Sequence, residues 1–101
     1  MSDNLGERLA ALRKRFLDRA TAESGALEAI ASELEAGAPG QLARARIQRI
    51  AHRLAGAGAT FGFAGIGICA GELEEFVSDE PDSPDLADAC RTLVAEIKSA
   101  A

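Results

Sequence analysis

Residues 41–61 read QLARARIQRIAHRLAGAGATF, and the periodicity of this stretch decides the fold. At about 100° per residue, Ala43, Ile47, Ile50, Leu54, Ala57 and Phe61 fall within about 40° of one line, with spacings that alternate between four and three. Such a line is the inner seam of an amphipathic helix. His52, the only histidine in the chain, then lies about 180° away from the seam. Its same-face neighbours are Ala45, Gln48 and Arg49 before it and Ala55, Gly56 and Ala59 after it, because residues three or four apart share a face. The spacing predicts an imidazole standing in solvent on a surface kept low by alanine and glycine.

A lone histidine is most simply a solvated surface residue or a hydrogen-bonded core residue. Two features count against that reading. A histidine used for packing would sit on the seam, and this one is opposite. The glycines also need a reason, since each costs about 1 kcal/mol relative to alanine inside a helix, yet Gly56, Gly58 and Gly62 follow His52 closely. Small residues beside an exposed nucleophile would admit a second macromolecule carrying its own reactive group.

Outward from this stretch, Gly37-Ala38-Pro39-Gly40 is a helix stop followed by a residue that cannot continue the helix. Before it, Leu5, Leu9, Leu12 and Phe16 set a four-three-four seam that resumes at Leu27, Ile30 and Leu34. One long helix, bent near Ser24, is the favoured reading of residues 4–36. The alternative is two helices that break between Thr21 and Gly25, with Thr21 or Ser24 as the N-cap. On the other side, Phe61 and Phe63 read as core plugs at a junction, and a third helix is expected over 64–77. Its inward residues are Ile66, Ala70, Leu73 and Val77, with Cys69 and Phe76 beside them; Glu72, Glu74 and Glu75 face out. Ser83, Pro84 and Asp85 are read as N-cap, first helical position and acid at the positive helix end. They precede a last seam of Leu86, Cys90, Leu93 and Ile97. Four seams joined by short links predict an all-α, antiparallel up-down-up-down four-helix bundle, a single domain over residues 1–101.

Composition agrees. The chain of 101 residues is 48% hydrophobic with four phenylalanines and neither tryptophan nor tyrosine, which suits close-packed helices around aliphatic side chains. A net charge of −5 gives little support for nucleic-acid binding. Arg44, Arg46, Arg49 and Arg53 nevertheless form a positive stripe on the histidine helix, readable as solvated surface, as a phosphoryl cradle, or as a docking face for an acidic protein partner. Cys69 and Cys90 fall at or beside apolar seams and are expected to be buried thiols. One histidine and no close cysteine pair leave no metal site to expect. The N-terminal MSDNLGERLAAL has no uninterrupted apolar run, so neither a signal peptide nor a membrane anchor is expected, and the cytoplasm is the expected location of a free-standing protein.

The run His52-Arg53-Leu54-Ala55-Gly56-Ala57-Gly58-Ala59-Thr60-Phe61-Gly62 resembles the signature of histidine-containing phosphotransfer (HPt) domains. In that signature the histidine is followed by leucine two residues on, glycine at four, a small residue at six and glycine at ten. Ile66, Cys69 and the Leu73-Glu74 pair resemble the family's next helix, so the likeness covers roughly residues 12 to 78. It implies a four-helix bundle without kinase or ATP-dependent activity of its own. The implied role is a phosphorelay intermediate in which His52 takes a phosphoryl group and passes it to or from the aspartate of a response-regulator receiver domain, downstream of a hybrid sensor kinase. No cofactor is expected on this chain; magnesium is expected on the receiver. Many members carry lysine three residues after the histidine, where this chain has Ala55, and Arg49 and Arg53 are the nearest cationic substitutes to support the phosphoryl group. Gln48, Ala55, Gly56 and Ala59 are the expected partner-docking residues. No nucleic acid and no membrane are expected among the partners, and a monomer is expected. The rival reading is a non-catalytic helical interaction module that binds an acidic protein through Arg44, Arg46, Arg49 and Arg53.

Overall fold

The computed structural model describes residues 2–101, which fold into four helices: α1 (Ser2–Glu35), α2 (Gly40–Gly58), α3 (Ala64–Asp79) and α4 (Leu86–Ala100). No strand occurs among the described residues. α1 borders α2 and α4, and α3 borders the same two helices on the other side, which is the ring of an antiparallel bundle. The seams read from the spacing of α2, α3 and α4 turn inward. Ala43, Ile47, Ile50 and Leu54 of α2, Ile66, Ala70, Leu73 and Val77 of α3, and Leu86, Cys90, Leu93 and Ile97 of α4 are all buried, against Phe16, Ala20, Leu27 and Ile30 of α1. No helix among the described residues is long and apolar enough to cross a membrane.

The two helix stops share one geometry. Gly37, at φ +88°, lets Ala38 N–H donate to the Glu33 carbonyl (3.0 Å) and Gly37 N–H to that of Leu34 (3.1 Å). Gly62, also at φ +88°, lets Phe63 N–H donate to Gly58 (2.8 Å) and Gly62 N–H to Ala59 (3.3 Å). Both are Schellman closures, whose left-handed residue is best supplied by glycine. The second closure sends Phe61 and Phe63 back over the bundle end, where their rings lie 5.8 and 5.3 Å from that of Phe16.

α1 is one long helix, as the favoured reading has it, and the alternative break near Thr21 or Ser24 does not occur. Ser24 is buried, but its hydroxyl donates to the Thr21 carbonyl (2.6 Å) and that of Thr21 to Leu17 (2.8 Å), so both bond back into the helix instead of capping a new one. Two expectations change. α4 starts at Leu86, later than a cap at Ser83 implies: the Ser83 hydroxyl does accept from Asp85 N–H (3.1 Å), but the Ser83 carbonyl accepts from Leu86 N–H (3.3 Å), so residues 83–86 make a tight turn and the α-helical bonds begin with Ala89 N–H to Asp85 (2.9 Å). The start of the α1 seam is not core. Leu5, Leu9 and Leu12 are exposed because α1 has 34 residues and its neighbours 15 to 19, and Phe16 already packs at the bundle end, so the turns before it run past.

Across the α1/α4 seam, Arg91 donates to Glu28 (3.1 Å), to both Glu35 oxygens (2.6 and 2.8 Å) and to Ser32 (3.4 Å). This fork-like contact holds the Glu35 carboxyl below its usual range and raises the Arg91 guanidinium above its own.

Candidate functional site

His52 sits two-thirds of the way along α2, and its phase opposite Ile47, Ile50 and Leu54 leaves its side chain 78% exposed. The ring is not free to turn. Nδ1 lies 2.7 Å from Oε2 of Glu74 on α3, whose side chain is only 29% exposed. An ionised carboxylate can only accept, so Nδ1 carries the proton and, in the neutral ring, Nε2 carries the lone pair. Ala45, Gln48, Arg49, His52 and Glu74 line one shallow, open depression.

The helix contact that brings Glu74 within reach is made by glycine. A Cβ on Gly58 would lie 2.7 Å from the Gly67 nitrogen and 2.8 Å from its Cα, so neither backbone could come so close with a side chain between them. Gly67 in turn faces Ala59 and the Ala55 carbonyl. Two helical turns beyond Gly67, Glu74 is thereby held level with His52.

The three glycines after His52 therefore divide. Gly58 is buried at the helix crossing and Gly62 closes the end of α2, so clearance for a partner is not what either provides. Gly56 is different: a Cβ there would meet nothing within 4 Å. Gln48 and Ala59 are exposed on the same face, while Ala55 is half-buried beside α3.

The arginine stripe also divides. Arg44 pairs with Asp82 (3.5 Å), Arg46 with Glu33 (3.6 Å), and Arg53 donates to Glu23 of α1. Arg53 is thus drawn to the opposite flank of α2 from Glu74. Arg49 alone of the four lines the depression with His52, and it has no carboxylate partner among the described residues. A face whose cations are mostly matched within the molecule has little left with which to attract an acidic partner.

In the sequence Glu74 is read only as part of the Leu73-Glu74 pair and as an acid facing out beside Glu72 and Glu75; the structure instead turns it against His52, with its side chain 29% exposed. Its signal is faint: it follows inward-facing Leu73, which puts it at the edge of the α3 seam, but which neighbour it meets depends on how α2 and α3 are phased.

Cys90 is buried and Cys69 half-buried; both are free, and burial is the main cause that raises each thiol, that of Cys90 to about 11. Among the described residues no group of three His, Cys, Asp or Glu side chains could hold a metal ion.

The arrangement offers one open ring nitrogen on a rigid helix, backed by a carboxylate, with no second nucleophile or enclosed cavity at the ring. That suits attack on an electrophile delivered by another molecule. No curated protein and no solved structure matches the chain. A family model described as the Hpt domain does, over residues 4–100, which extends the likeness read from residues 12 to 78 across all four helices. A bundle of four helices, built around the histidine signature and matched over nearly its whole length, belongs to the Hpt domain family.

Proposed function

We propose that His52 accepts a phosphoryl group on Nε2 from the aspartyl phosphate of a response-regulator receiver domain, and returns it to such an aspartate, as a relay step below a hybrid sensor kinase. Family membership implies a phosphotransfer role in two-component signalling, carried out by phosphocarrier modules without catalytic activity of their own. The observation that carries the assignment to His52 is the pairing of Nδ1 with Glu74 at 2.7 Å on a side chain that is 78% exposed.

In the forward step the Nε2 lone pair forms the N–P bond while the bond from phosphorus to the aspartyl oxygen breaks, and the electron pair leaves on the carboxylate. Nδ1 keeps its proton, so the ring becomes cationic next to the Glu74 carboxylate, which faces the new charge directly. Return transfer reverses the bonds and leaves the ring neutral. Arg49 is the cation placed to offset the phosphoryl charge; Arg53, held by Glu23, is less available. Gln48, Gly56 and Ala59 supply the level surface against which the receiver rests. Magnesium is proposed to sit on the receiver, and the chain to act as a cytoplasmic monomer.

The test is incubation with a radiolabelled phospho-receiver. The parent should acquire phosphate that is labile in acid and stable in alkali, and His52→Gln should acquire none while keeping its helical circular dichroism. Retained labelling of His52→Gln would overturn the assignment.

A further inference from the structure

Leu5, Leu9, Leu12 and Phe16 follow the four-three-four spacing of a coiled-coil seam. Only Phe16 is buried; the leucines are 63%, 43% and 37% exposed. Leu42 and Ile68 are exposed as well, but each stands alone on its helix, which is ordinary for a protein surface. The α1 leucines are contiguous. Their stripe runs into a groove where α1 meets the end of α2, lined by Leu12, Phe16 and Phe61 together with Arg15, Arg19 and Asp18, whose carboxylate is matched by Lys14.

Charge narrows what could cover this stripe. Residues 4–19 hold five cations against two acids, in a chain whose total is −5. Lys14 pairs with Asp18 (3.1 Å), but among the described residues no carboxylate lies within ion-pair distance of Arg13, Arg15 or Arg19. A second copy of the chain fits poorly, because pairing the seams in either direction sets Arg8 against Arg13 or Arg15 of the other copy. A lipid surface would meet the leucines but would not fill a groove between two helices. A helix with leucines along one line and acids flanking it would do both.

We propose that α1 docks an acidic amphipathic helix of a partner protein along Leu5, Leu9 and Leu12 and into the groove beside Phe16. This surface is separate from the histidine face. His52 turns toward Glu74 of α3, whereas the next residue, Arg53, turns toward Glu23 of α1 and lines the groove. A partner can therefore stay attached while His52 is engaged.

The test uses the full chain and fluorescence anisotropy with a labelled synthetic three-heptad peptide carrying Leu at a and d and Glu at e and g, beside the same peptide with Lys at e and g. The Glu peptide should bind and the Lys peptide should not. Leu9→Asp, and separately Arg15→Glu, should each weaken binding about tenfold or more, and both variants should keep helical circular dichroism because neither side chain is core. Leu9→Asp should also still be labelled by a phospho-receiver. Equal binding of the two peptides, or unchanged binding to both variants, overturns the proposal. So does concentration-dependent dimerisation of the chain that Leu9→Asp abolishes, which would assign the stripe to a second copy. Sedimentation with phosphatidylserine vesicles in place of peptide binding would assign it to lipid. Loss of labelling in Leu9→Asp would merge the stripe with the receiver face and overturn the two-surface reading.

Discussion

On the inner face of α2, Gly58 leaves so little room that a methyl group there would come within 2.7 Å of the Gly67 backbone; on the outer face, two positions earlier, a methyl group on Gly56 would meet nothing within 4 Å. One residue type thus serves two ends on one helix. Inside, it sets how near α3 can lie and so whether Glu74 reaches His52. Outside, it keeps the ground around His52 flat. The inner face answers to packing within the molecule and the outer face to whatever approaches from outside, so substitutions on the two faces should separate stability from phosphoryl transfer.

The contrast breaks if Gly58→Ala is harmless. Forcing a methyl group into that crossing should cost about 3 kcal/mol, the upper end for overpacking a closed interior, and should lower the urea midpoint at unchanged slope.

A second interior probe lies on α4, where burial pushes the Cys90 thiol from an ordinary 9.0 up to about 11. The folded state keeps this proton longer than the unfolded chain does. Stability is therefore fully present below about pH 9 and falls as pH rises toward about 11, by roughly 2–3 kcal/mol at about 1.4 kcal/mol per unit. Urea titrations across that window should show a shallower slope in Cys90→Ala than in the parent, the remainder coming from the raised Cys69 thiol, whatever the absolute stability of the variant.

On the outer face the expected effect moves to rate. Glu74→Ala removes the acceptor that fixes the ring tautomer and should slow phosphoryl uptake about tenfold with stability nearly unchanged. Glu74→Gln should recover part of the rate, since its amide oxygen can still accept from Nδ1. A loss of stability without a loss of rate would mark Glu74 as a purely structural contact.

The smallest effect sharpens the contrast most. Gly56→Ala should stabilise the fold by about 0.5–1 kcal/mol, through helix propensity alone, and still slow uptake from a phospho-receiver. Faster or unchanged uptake would remove clearance as the reason for this glycine.

The seams of α2, α3 and α4 were legible because a spacing of three and four specifies which face is apolar. The same spacing cannot say whether anything lies opposite, which is why Leu5, Leu9 and Leu12 look identical in the sequence to residues that are buried. The exposure of His52 followed from its phase. Its bond to Glu74 did not, since that depends on the offset between two helices, which brings together residues 22 apart in sequence. The inner role of Gly58 was within reach, because it follows seam residue Leu54 by four. The division of the arginines was not, because Glu23, Glu33 and Asp82 approach from other elements.

The central claim concerns one atom, and nitrogen-15 NMR of the imidazole after phosphorylation by a receiver tests it most directly. The account predicts phosphorus coupled to Nε2 of His52 with Nδ1 still protonated. Phosphorus on Nδ1, or an unmodified His52 in a chain that has taken up phosphate, would contradict it.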